Sequence, residues 1–307
     1  MTAKVKKRLN YFSNQFPLYL MVLPAIVLVV IFNYIPMAGI VIAFEKFIPS
    51  KGLFGDQQWV GLSNFIKLFN YPDVGQVLYN TVYISILKMI TGFIVPIVFA
   101  ILINEVRRNG LKRAIQTSIY LPFFLSWVVL GGIFIDILSP NTGIVNQILT
   151  KLFDIKPIFF LGDNKWFPAT LVVTNAWKEF GFGTVVFLAA ITNIDPQLYE
   201  SALLDGANRW QKIRYITIPG MSMVIVLIGV LSLGNVLNAG FDQVFNLYNP
   251  VVYRSGDILD TFVYRLGIVQ AQYSMATAVG LLKSVVSFLI ISLSYFLAYK
   301  FTEYRVF

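Results

Sequence analysis

From Leu9 to Phe44 the chain runs for 36 residues without a charged side chain, between Arg8 and Glu45. About 20 apolar residues cross the hydrocarbon core of a bilayer as a helix. A stretch this long, preceded by Lys4, Lys6, Lys7 and Arg8, commits the chain to a membrane. The remainder agrees: 57% of the residues are hydrophobic and 13% charged, against about 25% charged in soluble domains. A basic start followed by an apolar run is also the shape of a signal peptide. The run exceeds the roughly 7–15 residues of a cleavable core and lacks an A-x-A site, so it reads as an uncleaved first span.

Composition removes whole classes of function. With no Cys and no His in 307 residues, disulfides, thiolate metal sites and imidazole chemistry are excluded, and no metal site is expected. The phosphate-binding pattern G-x4-G-K-[ST] is absent; Gly280-Leu281-Leu282-Lys283-Ser284 has the Lys-Ser but not the glycine spacing. No cofactor is therefore expected in this chain, and any ATP and Mg would sit on other subunits. The net charge of +9 reflects short basic loops on one side of a membrane rather than nucleic acid binding.

Apolar runs predict an all-α membrane protein with six spans, at about 17–44, 76–103, 114–138, 166–191, 217–241 and 276–300. Residues 1–16 read as an N-terminal tail and 17–303 as one domain. Pro24 and Pro36 predict bends in the first run or a break near Asn33-Tyr34. Thirteen Lys and Arg fall in short segments on one side: the N-terminus, 104–113, 192–216 and the C-terminus. Eight fall on the other, spread over three long loops. The positive-inside rule then places both termini and the 192–216 loop in the cytoplasm.

That loop has its own logic. Asp195-Pro196 is a helix N-cap followed by proline at the first helical position. Tyr199, Ala202 and Leu203 recur at i, i+3, i+4 and predict a short helix with a small apolar face. Gly206 then permits a sharp turn. A second helix follows, with Trp210, Ile213 and Thr217 on one face and Arg209 and Lys212 on another, and Pro219 opens the fifth span.

Within 195–219, Glu200-Ser201-Ala202, three residues, Gly206, nine residues, Ile216, one residue and Ile218-Pro219 resemble the EAA motif (E-A-A, x3, G, x9, I-x-L-P) of bacterial ABC-importer permeases. Ser and Ile replace two motif residues and every spacing is kept. The resemblance implies a coupling helix seated in a groove of a partner ATPase, with Tyr199, Glu200, Ala202, Leu203, Gly206 and Trp210 as the docking segment. Six spans with the motif between the fourth and fifth look like the sugar-type (maltose-like) type I permeases. The stretch from Asn238 to Pro250, with Asp257, Asp260-Thr261 and Tyr264-Arg265, is similar to the LplB/YtcP-type subgroup that handles oligosaccharides. That resemblance implies a non-catalytic permease in the bacterial plasma membrane, among lipid. Its implied partners are a second homologous permease, two ABC ATPase subunits, an extracellular solute-binding lipoprotein and a carbohydrate substrate.

Polar side chains at membrane depth are costly and mark candidate sites. Lys88 lies mid-span in the second run, and Lys178 and Glu179 in the fourth; Lys283 and Asp136 lie nearer span ends, where they can snorkel. On span four, Asn175, Glu179 and Phe182 recur at i, i+4, i+7 beside Trp177. On span five, Asn235, Asn238 and Asp242 recur at i, i+3, i+7. Amides and acids beside aromatic rings suit a sugar, so these two faces are the expected substrate pathway. The alternatives are a permease for phosphate, an amino acid or a metal ion, or an intramembrane transferase, which would need a convergent catalytic cluster that the sequence does not offer.

Overall fold

The computed structural model describes residues 3–302, with side chains for 15–296. Arg305, one of the basic residues used for orientation, lies outside them, as do the side chains of the N-terminal basic cluster. The architecture is all-helical apart from one two-residue antiparallel ladder, in which β1 (Glu45–Lys46) pairs with β2 (Gln58–Trp59). The helices are α1 (Ala3–Val29), α2 (Ser63–Phe69), α3 (Val74–Asn104), α4 (Asn109–Tyr120), α5 (Trp127–Ile137), α6 (Ile144–Phe153) and α7 (Phe167–Thr192). They continue with α8 (Pro196–Leu204), α9 (Arg209–Lys212), α10 (Ile218–Leu233), α11 (Phe241–Leu247), α12 (Tyr253–Gly256), α13 (Leu259–Tyr264) and α14 (Tyr273–Thr302).

Among the described residues, four helical stretches are long and apolar enough to cross a membrane: Gln15–Phe44, Val74–Asn104, Arg209–Leu233 and Tyr273–Phe296. A fifth exists if Asn109–Phe124 and Trp127–Ile137 count as one bent unit. The first run changes character where its sequence suggested: α1 gives way to a π-helical turn over Val30–Tyr34 and then a 3-10 helix over Ile35–Phe44. Every residue from Phe16 to Ala38 is exposed, so this unit stands off the bundle until its 3-10 part reaches α14.

Two expected spans are broken. The 114–138 run bends by 104° between its halves. Pro122 removes a backbone donor there, and Ser126 caps the new helix by accepting from the Val129 amide. The 217–241 run stops at Leu233; residues 234–240 are non-helical, and α11 starts after Gly240 at φ +86°. Asn and Gly clustered over 234–240 compete with the helix and supply the left-handed turn that ends it.

The expected fourth span forms as α7, yet it is not among the helices apolar enough to be read as crossing by composition. Its environment explains this. α7 packs along α3 and buries a stripe from Phe167 through Leu171, Lys178 and Gly181 to Ile191. Its threonines return their hydroxyls to the helix: Thr170 donates to Trp166 O and Thr174 to Thr170 O. A helix enclosed by protein need not be apolar all round.

α7 approaches α4 tightly at Gly181. A Cβ there would sit 1.8 Å from the Ile119 carbonyl oxygen. Gly181→Ala is expected to push the helices apart at an overpacking cost of about 1–3 kcal/mol. A lowered midpoint in thermal unfolding of the detergent-solubilised protein checks this; an unchanged midpoint contradicts the close approach.

Candidate functional site

Two regions carry the predicted site residues. The first is the loop that joins α7 to α10. Asp195 caps α8 by accepting from the Gln197 amide. The helix ends at Leu204, and the chain turns at Gly206, whose φ of +75° disfavours any L side chain. α9 opens with a reciprocal capping box: Asn208 Oδ1 accepts from the Gln211 amide, and Gln211 Oε1 from the Asn208 amide.

The loop's expected apolar faces divide differently. Tyr199 turns toward the loop itself, its hydroxyl 3.0 Å from Thr217 Oγ1, and Ala202 is half-buried while its backbone carbonyl accepts from the Ala207 amide. Leu203, Leu204 (89% exposed) and Trp210 (80% exposed) project outward. Trp210 therefore does not share a buried face with Thr217, which is buried. Tyr199 braces the hairpin, while Leu203, Trp210 and the exposed Glu200 form its outer surface. Arg209 reaches Glu105 at the end of α3 (4.0 Å), an exposed ion pair worth little by itself.

The second region lies between α3, α7 and the break after α10. A cavity of about 270 Å³ is walled by Ser85, Lys88 and Gly92 of α3, Asn175 of α7, and Asn235 and Asn238 of the break. The structure thus unites Asn175, Asn235, Asn238 and Lys88, three of which are far apart in sequence. It does so by a route that helical periodicity did not foresee. Asn235 and Asn238 lie in the non-helical segment, and Asp242 lies beyond it on α11, so the i, i+3, i+7 face does not exist. Asp242 is exposed and outside this cavity.

Lys88 is 8% exposed, and its ammonium donates to the Ala239 carbonyl (2.5 Å) and to Gln243 Oε1. Gln243, 1% exposed, completes the link by donating to Leu171 O (2.8 Å) and Thr174 Oγ1 (2.7 Å). Sequence reasoning missed Gln243, an amide between Asp242 and Asn246 with no spacing of its own to single it out. A Cβ on Gly240 would come within 3.2 Å of Lys88 Nζ, so both its φ and its neighbour favour glycine.

Lys178 does for the other break what Lys88 does for this one. Its ammonium donates to Phe123 O (2.9 Å), pairs with Glu179 (3.3 Å) and sits over the Phe123 and Trp127 rings. Phe182 stacks on Phe123 at 4.3 Å, and Trp177 meets Phe134 edge-on. Lys178, Glu179, Trp177 and Phe182 are thus not on the cavity wall; they support the bend between α4 and α5. Lys283 does not snorkel: it pairs with Asp260 at 2.5 Å.

At the end of the bundle away from the 195–219 loop, α12 and α13 are tied to α3. Asn80 Nδ2 donates to the Arg254 and Asp257 carbonyls, and Thr81 Oγ1 accepts from the Leu259 amide. Asp257 there binds Arg265 at 2.5 Å. Burial raises its carboxyl above the ordinary range, against the hydrogen bond from Thr261 and the Arg265 charge. For Arg265, burial pulls the guanidinium down and Asp257 outweighs it, leaving it above its usual value.

Residues 92–306 match the family model described as the binding-protein-dependent transport system inner membrane component. The chain belongs to this family. It is a multi-pass inner-membrane permease, the non-catalytic membrane component of an ABC importer. Among its relatives are Protein LplB of Bacillus subtilis strain 168, 39% identical over 94% of this chain and 91% of that protein, and a second from the same organism. This is the polygalacturonan/rhamnogalacturonan transport system permease protein YteP, 40% identical over 98% and 93%. The permease is also similar to a chain in the crystal structure of a bacterial ABC transporter that imports the acidic polysaccharide alginate. The two are 38% identical, with 96% of this chain and 99% of that one covered, at a TM-score of 0.87.

Removing the Lys88 ammonium should free the segment after α10 in the permease. Lys88→Met and Gln243→Leu are each expected to cost about 1.5–3 kcal/mol, the range for hydrogen bonds to charged groups. Because they act through one network, the double variant should lose less than the sum. Thermal unfolding of the four proteins checks this; additive losses would show that the two residues act independently.

Proposed function

We propose that this permease is one of two homologous, non-identical six-span subunits that together carry a carbohydrate of oligosaccharide size into the cytoplasm. Two ABC ATPases bind the cytoplasmic loops, and an extracellular binding protein delivers the sugar. In this reading both termini and the 195–219 loop are cytoplasmic, supported by the distribution of Lys and Arg. α4–α5 and α7 provide the two spans that apolarity alone leaves incomplete.

The observation that carries the reading is the cavity among Lys88, Asn175, Asn235 and Asn238. Three amides from two elements, α7 and the break after α10, converge beside Lys88 of α3, and sugar hydroxyls can both donate to and accept from them. Lys88 in the wall favours an acidic saccharide, in keeping with the alginate and polygalacturonan named for the relatives. Single cysteines at 235 and 238 should react with a water-soluble thiol reagent in one nucleotide state of the assembled importer and be protected in another. Cysteine at 242, outside the cavity, should not follow that pattern. Asn238→Ala should weaken transport by about 2- to 13-fold, the equivalent of one net hydrogen bond at about 0.5–1.5 kcal/mol, and spare basal ATPase activity. Cysteines at 235 and 238 that never react would place the pathway elsewhere.

The loop is the coupling element. Leu203, Leu204 and Trp210 give it an apolar contact surface, Glu200 a charge for a basic groove, and Gly206 the turn that aims them. Gly206→Val and Glu200→Lys are expected to abolish substrate-stimulated ATP hydrolysis in the reconstituted importer while the permease still inserts. Wild-type stimulation in both variants would remove the coupling role.

A further inference from the structure

A second cavity, of about 540 Å³, lies at the end of the bundle opposite the 195–219 loop. It is bordered by Tyr79, Tyr83 and Leu87 of α3, by Asn164 and Lys165 just before α7, and by Arg254 of α12. Tyr79 and Tyr83 stack in parallel at 5.7 Å. Neither Lys165 nor Arg254 is in an ion pair among the described residues. Asn164 donates its Nδ2 to Val251 O (2.9 Å), while its Oδ1 is buried with no hydrogen-bond partner. The cavity therefore offers two cations outside any ion pair and a pair of phenol rings, with the unused Asn164 acceptor enclosed in its wall.

Helical geometry says which way it faces. At 100° per residue, Tyr79 and Tyr83 lie on the side of α3 roughly opposite Ser85, Lys88 and Gly92, which line the proposed pathway. Below the tyrosines, steps of three and four residues lead through Ile86, Ile90, Ile94 and Val98, all exposed. A side turned away from the pathway, apolar along its length and headed by tyrosines, is one built to meet acyl chains, with aromatic and basic groups at headgroup level.

We propose that this cavity holds the headgroup of an anionic glycerophospholipid such as phosphatidylglycerol. Lys165 and Arg254 take the phosphate, and one acyl chain runs down the stripe from Ile86 to Val98. Phosphatidylcholine carries the same phosphate, but its quaternary ammonium sets a third cation beside Lys165 and Arg254. The orientation of this face rests on the pathway reading above, but lipid binding is measured without transport, so the two fail separately.

The test is native mass spectrometry of the assembled importer, delipidated and titrated with phosphatidylglycerol or phosphatidylcholine, with glycerol phosphate as a soluble competitor. Wild type should retain phosphatidylglycerol at least 10-fold more strongly than phosphatidylcholine. Lys165→Ala/Arg254→Ala should erase that preference, with assembly intact by mass. Lys165 and Arg254 are exposed, and Tyr83→Phe, which keeps the ring, should retain the preference. Equal retention of the two lipids by wild type would overturn the proposal, as would an unchanged preference in the double variant. Displacement by glycerol phosphate at lipid-like concentrations would mark a soluble-anion site and overturn it too. Photocrosslinking from position 83 should yield lipid adducts; adducts to the second permease alone would show a subunit interface instead.

Discussion

A helix that breaks inside a membrane frees backbone carbonyls where no water can bind them, and each unsatisfied group costs several kcal/mol. This permease breaks two of its runs, and at each break a buried lysine supplies the donor. Lys88 reaches the Ala239 carbonyl after α10, and Lys178 reaches the Phe123 carbonyl before α5. Both ammonium groups come from α3 and α7, the pair whose mutual packing forms the centre of the bundle. The pair supplies fixed points, the lysines transmit them to the irregular segments, and the irregular segments shape the cavity. Charge in the membrane is expensive in isolation. Here it carries out a structural task that neutral side chains of that length do not.

This arrangement makes the non-helical segment 234–240 an ordered part of the fold. By ending α10 early, it turns Asn235 and Asn238 toward Asn175 and lets α11 fold back so that Gln243 enters the core. An uninterrupted fifth span would have carried its amides on a single stripe without the return. The 195–219 loop is separate in space and similarly economical: caps at Asp195 and Asn208, a left-handed turn at Gly206 and the Tyr199–Thr217 contact fix it, leaving Leu203, Leu204 and Trp210 outward.

Much of this was legible in the residues. The cap, proline and glycine of the 195–219 loop act locally, so spacing alone foretold both helices and the turn between them. Membrane residence followed from a run without charge. The breaks were less legible because hydropathy averages over a window: Leu121-Pro122 and Asn238-Ala239-Gly240 are turn signals embedded in apolar sequence, and the average hides them. Periodicity also assumed a helix through 235–242, and so joined Asp242 to a face that does not form. Lys88 and Lys178 stood out as polar residues at depth, but their partners are carbonyls 151 and 55 residues away in the chain. Such contacts have no sequence pattern, and pairing rules based on opposite charges point to Glu179 instead.

The central claim is that the buried lysines hold the broken segments in place. Hydrogen–deuterium exchange of the assembled importer, comparing wild type with Lys88→Met and Lys178→Met, tests it most directly. The account predicts faster exchange over residues 234–247 in the first variant and over 121–130 in the second, each sparing the other region. Unchanged exchange in both segments, or a uniform rise across the bundle, would contradict it.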